Sequence, residues 1–294
     1  MTVRWQNLFD VIPVELSGYW VLYNTYHIPF TILDLCETNR NLNIRICIMG
    51  VFKVKIGLVS SLMKDNNIEH QLGQMEYYIS LNHNCDLICF GESFLQGFEG
   101  LTWKYDEDIK RALTKDGPVI LYIRELAKRY NCGISFGFIE KEGNNIYSSN
   151  MVINSKGKIV DIFRRVSIGW KEPIANSLYK EGNGFHTFTY LDKVIGVAIC
   201  GDVWHDNFLG ELEHMKMDAL LWPLYIDFSI EDWNKTYKKE YAERTKNLPY
   251  PALMINSYVE EPKEAKGGCY VFYQNQIISS LPMGNIGILE FDLN

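Results

Sequence analysis

The sequence lacks the features that mark several large classes of protein. There is no Gly-x-Gly-x-x-Gly or P-loop motif to support nucleotide binding, and no Gly-x-Ser-x-Gly elbow to support a serine hydrolase. The seven cysteines contain neither a CxxC pair nor a Cys/His ladder of zinc spacing. We therefore predict no metal and no cofactor. The odd number of scattered cysteines favours a reducing, cytoplasmic location over a disulfide scaffold.

A dense basic surface and a long uninterrupted apolar run are missing too. The 294 residues carry a formal net charge of −7, so we predict neither a nucleic-acid partner nor an anionic membrane surface. Prolines, a glutamate and a histidine interrupt the apolar stretch 11–35, whereas a spanning helix needs about 20 mainly apolar residues. A signal-peptide cleavage site is not evident either. We interpret residues 1–50 as an N-terminal extension of uncertain status, with Met49 as an alternative start.

From residue 53 onward, strand and helix patterns alternate. Apolar residues at helical spacing predict helices over 69–81, 119–130, 209–217 and 232–247. Short apolar or β-branched runs between them predict strands, several of which are joined as hairpins by turns rich in Gly, Asp and Lys. No linker or internal repeat divides residues 51–294. This stretch is therefore predicted to be one α/β domain with mixed sheets.

Three short segments end predicted strands and carry reactive side chains. In DLICFGESFLQGF, Glu92 follows a buried strand, and in VAICGDVW, Cys200 ends an apolar run. In FRRVSIGWKEP, the charged residues after a hairpin strand are Arg165, Lys171 and Glu172. Each segment also has a plain structural interpretation: a capping or salt-bridged glutamate, a packing cysteine and a solvated loop. Because α/β proteins place their sites at strand ends, the three together favour an active site.

Together these segments resemble the nitrilase, or carbon–nitrogen hydrolase, superfamily. DLICFGESFLQGF is similar to the family's strand-Pro-Glu-x-x-x-x-Gly-Tyr segment, with Gly91 where proline is common. VAICGDVW is similar to its Ile-Cys-Tyr-Asp segment, with Gly201 in place of the frequent tyrosine. DALLWPL, the helix that contains Arg244, and MINS follow in the family's order, and several ordered segments are far more specific than one motif. The resemblance covers nearly all of residues 53–294 and implies a four-layer αββα sandwich.

The resemblance also implies a Glu-Lys-Cys catalytic set. We expect Cys200 to attack the carbonyl carbon of a small linear amide or a carbamoyl amine, and to form a thioester. Glu92 is expected to take the thiol proton and return it to the leaving amine. A cation, together with the backbone N–H of Gly201, is expected to bind the oxyanion of the tetrahedral intermediate.

The cation is where this sequence departs from the family. The family has Tyr-Arg-Lys after the hairpin, whereas this chain has Phe163-Arg164-Arg165, which places Arg165 at the lysine position. A planar guanidinium fork and a compact ammonium group are not equivalent. On sequence grounds Lys171, later in the same loop, is favoured as the functional cation, with Arg165 structural or assisting. Glu172 falls near the family's second, orienting glutamate.

Other interpretations stay open. A catalytically impaired family member that binds a small ligand or a partner is favoured by Arg165 and disfavoured by the presence of both Glu92 and Cys200. A hydrolase built on Cys200 and His205 is disfavoured, because neighbours in one turn rarely converge on one atom.

Trp204 is a candidate for an aromatic wall of the substrate pocket. The family resemblance further implies a homodimer or a larger homo-oligomer.

Overall fold

The computed structural model describes residues 53–82, 84–260 and 265–294, together with four strands nearer the N-terminus. The chain divides into two compact units, residues 1–53 with Asn294 and residues 54–293. In the first unit, an antiparallel sheet contains, in this order, β1 (Ile12–Leu16), β2 (Tyr19–Tyr23), β3 (Pro29–Asp34) and β4 (Arg45–Cys47). The rest of the predicted extension over residues 1–50, including Met49, lies outside the described residues. Its status stays a prediction.

The second unit contains two six-stranded mixed sheets. The strands of sheet I are β5 (Val54–Ser60), β6 (Leu87–Cys89), β7 (Gly133–Glu142), β8 (Asn145–Ile153), β9 (Ile159–Arg164) and β16 (Gly287–Leu293). Their order is β16-β5-β6-β7-β8-β9, with β5, β6 and β7 parallel and the other neighbours antiparallel.

Sheet II repeats this plan with strands from the second half of the chain. Its strands are β10 (Thr187–Tyr190), β11 (Lys193–Val197), β12 (Ala219–Leu224), β13 (Ala252–Asn256), β14 (Cys269–Tyr273) and β15 (Gln276–Leu281). They pair in sequence order, with β11, β12 and β13 parallel and the other pairs antiparallel.

The helices follow the predicted pattern with one addition. Their bounds are α1 (Ile68–Leu81), α2 (Tyr105–Arg111), α3 (Pro118–Tyr130), α4 (Asp206–His214), α5 (Ile230–Asp232) and α6 (Lys238–Arg244), with a π-helical stretch Trp233–Tyr237 between the last two. Apolar periodicity does not predict α2, which is short and whose first turn carries acidic residues that stabilise a helix N-terminus. Across the described ranges, no helix is both long and apolar enough to cross a membrane.

Apolar residues on both faces of each sheet produce the layers. In sheet I, Ile56 belongs to the core shared with sheet II, whereas Ile88 packs with residues of α1 and α3. In sheet II, Leu221 faces the shared core, whereas Trp222 packs with residues of α4 and α6. Strands buried on both faces have nearly continuous apolar sequences, as these do. The predicted four-layer αββα sandwich is confirmed, and it brings the ends of β6, β9 and β11 toward one site.

Candidate active site

Glu92 lies on the turn that follows β6 and is almost fully buried, with 1% of its surface exposed. Its backbone N–H donates to the carbonyl oxygen of Leu224 at 3.2 Å, at the end of β12. The turn rests directly on β7, since a Cβ atom on Gly137 would lie 2.4 Å from the Ser93 nitrogen and 2.7 Å from the Glu92 Cα. Glycine at position 137 therefore leaves the room that this turn needs.

A buried ion pair joins Glu92 to Arg165, the first residue after β9. Arg165 Nη1 donates to Glu92 Oε1 at 3.0 Å, and Arg165 Nε donates to Ser167 Oγ at 2.9 Å. Ser148 Oγ donates to the same carboxylate oxygen at 3.3 Å. The other oxygen, Oε2, is buried and accepts no well-formed hydrogen bond from the described residues. Glu92 thus forms the salt bridge that the alternative, purely structural interpretation expects, while its Oε2 atom remains available to a further donor.

Cys200 begins a short 3₁₀ helix, Cys200–Trp204, that follows β11. Its φ is +44°, a left-handed conformation that is uncommon for a residue other than glycine. The Nε1 of Trp222 donates to the Cys200 carbonyl oxygen at 2.9 Å, and the Cys200 Sγ lies 4.0 Å from the carbonyl oxygen of Tyr225. Backbone strain of this kind persists where the surroundings hold it in place, and it is concentrated at functional sites.

The electrostatic state of the site follows from burial and from the three neighbouring groups. Burial, together with the Glu92 charge, raises the pKa of the Cys200 thiol to about 12, although Arg165 opposes the shift. Burial also raises the pKa of Glu92 above the ordinary 4.5, against the lowering effects of Arg165 and of the neighbouring Cys200 thiol. Burial lowers the pKa of Arg165, but the nearby negative charges outweigh it and the net shift is upward. The site therefore holds a protonated thiol beside a carboxyl group and a permanent cation.

Asp202 is a site residue that sequence reasoning missed. Its fully buried carboxylate accepts hydrogen bonds from the backbone N–H groups of Ile199 at 2.8 Å, Ser167 at 2.7 Å and Val166 at 3.1 Å. It thereby ties the turn after β9 to the turn that carries Cys200. The signal was present, because the family's Ile-Cys-Tyr-Asp segment has an aspartate at this place.

We expect Asp202→Ala to lower the free energy of unfolding by roughly 3 kcal/mol or more. The reason is that each buried N–H left without an acceptor costs about 1–3 kcal/mol. Chemical denaturation followed by circular dichroism measures the change. The matched control is Glu211→Ala, which removes an exposed carboxylate from α4 and should change stability by less than about 0.5 kcal/mol. Equal, small effects in both variants would contradict the bridging role.

Two predicted residues of the loop after β9 lie outside this ion pair. Lys171 Nζ donates to the Tyr179 carbonyl oxygen at 2.8 Å and pairs with the Glu181 carboxylate at 2.7 Å. Glu172 is exposed. Among the described residues, the structure thus gives Arg165 direct contact with the buried glutamate and gives Lys171 other partners. A catalytic role for Lys171 or Glu172 stays a prediction.

The remaining two predicted residues lie on the Cys200–Trp204 helix. Trp204 is 40% exposed, and its ring packs on that of Tyr241 with 4.9 Å between centroids. The guanidinium carbon of Arg244 lies 5.8 Å from the Trp204 ring centroid, and both residues line a cavity of about 850 Å³. A substrate contact for Trp204 stays a prediction. Gly201, by contrast, lies directly against the guanidinium of Arg165.

A thiol on a strained turn, beside a buried carboxyl group and a cation, defines a site of the kind that cysteine-dependent hydrolases use. In the part of the chain that the structure describes, no group of three or more His, Cys, Asp or Glu side chains is arranged to hold a metal ion. The model of the carbon-nitrogen hydrolase family matches residues 55–246. The chain belongs to the carbon–nitrogen hydrolase family, as its sequence predicts.

Fungal and bacterial proteins are similar in sequence to this chain. A probable nitrilase of Schizosaccharomyces pombe, C965.09, is 30% identical over 158 residues, which are 51% of this chain and 56% of that protein. The citrullinase of Francisella tularensis is 24% identical over 228 residues, which are 72% of this chain and 76% of that protein. The match therefore spans little more than half the length of the fungal relative.

Solved structures agree on the fold. XC1258 from Xanthomonas campestris, a CN-hydrolase superfamily protein with an arsenic adduct in its active site, superposes with a TM-score of 0.69. The superposition covers 83% of this chain and 91% of that chain at 14% sequence identity. At this identity the likeness shows the shared sandwich architecture.

Proposed function

We propose that this protein hydrolyses the C–N bond of a small linear amide or carbamoyl amine through a thioester on Cys200. The observation that carries the proposal is the meeting of the Cys200 thiol with the Glu92 carboxyl group and the Arg165 guanidinium in one buried site. The similarity to a citrullinase supports the carbamoyl class, because the side chain of citrulline ends in a carbamoyl group.

In the first step, the sulfur of Cys200 attacks the carbonyl carbon of the substrate. A C–S bond forms, and the π electron pair of the carbonyl group moves onto its oxygen. Because the pKa of the thiol is about 12, little thiolate exists at neutral pH, and the thiol proton must pass to Glu92 as the attack occurs. The resulting oxyanion then needs donors that are already in place.

We assign the cationic donor to Arg165, although the sequence favours Lys171. The Nε and Nη1 atoms of Arg165 donate to Ser167 and Glu92, whereas Nη2 makes no hydrogen bond within the described ranges. Nη2 also lies beside Gly201, whose backbone N–H is the second proposed donor. Arg165 therefore offers an unused donor next to the nucleophile, whereas the Lys171 ammonium group is paired elsewhere.

In the second half of the reaction, Glu92 gives up a proton twice, first to the leaving nitrogen and then to the sulfur. The tetrahedral intermediate collapses as its C–N bond breaks, and Glu92 donates its proton to the leaving nitrogen. Water attacks the acyl or carbamoyl thioester on Cys200, Glu92 takes a proton from this water, and the C–S bond breaks with the proton passing to the sulfur. The products are ammonia or an amine, and a carboxylic or carbamic acid.

A catalytically impaired family member that binds a small ligand or a partner is the second candidate. It is favoured by the arginine at the family's lysine position and by the raised pKa of the Cys200 thiol. In that case the ion pair between Glu92 and Arg165 would serve stability alone.

Alkylation by iodoacetamide separates the two candidates. We expect Cys200, which is half-buried, to react faster than the other four described cysteines, which are buried. In Glu92→Gln the rate at Cys200 should fall by roughly a hundred-fold or more, because the general base is lost. Peptide mass spectrometry over time measures each site, with the exposed Glu211→Gln as control. Slow, uniform labelling that does not depend on Glu92 would support the impaired protein instead.

A further inference from the structure

A side chain at position 201 would collide with the Arg165 guanidinium. A Cβ atom there would lie 2.4 Å from Arg165 Nη2 and 3.3 Å from Ser167 Oγ. Backbone conformation does not require the glycine, because its φ lies outside the left-handed region. The absent side chain therefore corresponds to a space that the Arg165 guanidinium fills.

The guanidinium cannot readily leave this space. Arg165 is 6% exposed, and its Nε and Nη1 atoms are held by Ser167 at 2.9 Å and by Glu92 at 3.0 Å. Its main chain is held as well, since its N–H donates to the Ser148 carbonyl oxygen at 2.9 Å and its carbonyl oxygen accepts from Gly182 at 2.8 Å. A side chain at position 201 would therefore push Nη2 aside and disturb at least one of the two side-chain hydrogen bonds.

We propose that Gly201 is the positioning residue that allows an arginine to serve as the cation of this site, so that residues 165 and 201 function as a pair. The inference rests on the proposed function, in which Arg165 Nη2 binds the oxyanion. A lysine ends in one nitrogen rather than a fork and would leave the space of Nη2 open. The two departures from the family pattern, arginine for lysine and glycine for tyrosine, then have a single steric cause.

A double-mutant cycle over Gly201→Ala and Arg165→Lys tests the pair. In the wild-type background, Gly201→Ala should slow turnover of any identified substrate by on the order of a hundred-fold, the effect of losing one oxyanion donor. Iodoacetamide alkylation of Cys200 should slow as well, because the displaced guanidinium opposes the raised pKa of the thiol less strongly. In the Arg165→Lys background, the same glycine substitution should cost less than about threefold, because the lysine leaves the space of Nη2 open. Such a difference between the two backgrounds is the non-additivity expected of residues in contact. The loss in the double variant should therefore be far smaller than the product of the losses in the two single variants.

A loss from Gly201→Ala that depends on which residue stands at position 165 is a result that a purely structural role for Gly201 would not produce. A Gly201→Ala loss that is as large in the Arg165→Lys background as in the wild-type background would overturn the proposal. The matched control is Gly210→Ala in α4, where a Cβ atom meets nothing within 4 Å, and its alkylation rate should equal that of the wild type.

Thermal unfolding of the same variants tests the steric pairing of residues 165 and 201 independently of the proposed function. Gly201→Ala should lower the unfolding midpoint more in the wild-type background than in the Arg165→Lys background, whether or not Cys200 is reactive. An unreactive wild-type Cys200 with this coupling present would defeat the proposed function and leave the steric pair. A reactive Cys200 with no coupling in either measurement would defeat the pair alone.

Discussion

Cys200→Ala should abolish C–N hydrolysis, with a loss on the order of 10⁴-fold or more in turnover. The covalent thioester cannot form without the sulfur, and the described site contains no second thiol on a strained turn, since the other described cysteines are buried packing residues. The measurement is ammonia release from a panel of amides, carbamoyl amines and nitriles, run first with the wild type to find a substrate and then with the variant.

Cys89→Ala is the control for this experiment. Cys89 lies on β6, close in sequence to Glu92, but its side chain is buried in the core between the sheets. Its removal should leave the turnover near the wild-type value, because it deletes packing and no reacting atom. Turnover that persists in Cys200→Ala would remove the nucleophile assignment and the proposed function with it.

Arg165→Ala should lower turnover by on the order of 10²- to 10³-fold, while Lys171→Ala stays within about threefold of the wild type. The contrast follows from the contacts: Arg165 lies against Glu92 and Gly201 with Nη2 unused, whereas Lys171 is held by its own loop. Measured kcat values of the two variants on one substrate decide between the cations. The reverse order would assign the role to Lys171, and full activity in both would exclude an oxyanion role for this loop.

The pH dependence of Arg165→Ala provides a second readout of the same contact. Arg165 lowers the pKa of Glu92 against the effect of burial, so its removal should raise that pKa further. Because Glu92 must be unprotonated to accept the thiol proton, the rising acid limb of the kcat/KM profile should move to higher pH than in the wild type. An unmoved limb would show that Arg165 does not affect the titration of Glu92 in the free enzyme.

The order of the elements could be predicted from the sequence because each depends on local patterning. Strands such as β6 and β12 are continuous apolar runs, and α1 and α3 have apolar residues at helical spacing, so a layered α/β domain was the expected result. The sandwich of two sheets was expected from the family resemblance. Glu92 and Cys200 were candidates for the same reason, since each directly follows a strand in a segment that resembles a family motif. The strands and helices could be predicted because strands buried on both faces have nearly continuous apolar sequences, a pattern visible in residues that are neighbours in the chain.

Only the tertiary structure decided how the loop after β9 meets the rest of the site. Arg165 and Lys171 lie in one charged loop segment. Their spacing along the chain does not determine which of the two long cationic side chains contacts a carboxylate that follows another strand. The answer depends on contacts between distant segments. The Asp202 carboxylate accepts hydrogen bonds from the backbone N–H groups of Val166 and Ser167, beside Arg165, and the Glu181 carboxylate pairs with Lys171. The need for a glycine at position 201 could not be predicted from the sequence either, because it arises from the Arg165 guanidinium, which comes from the end of another strand.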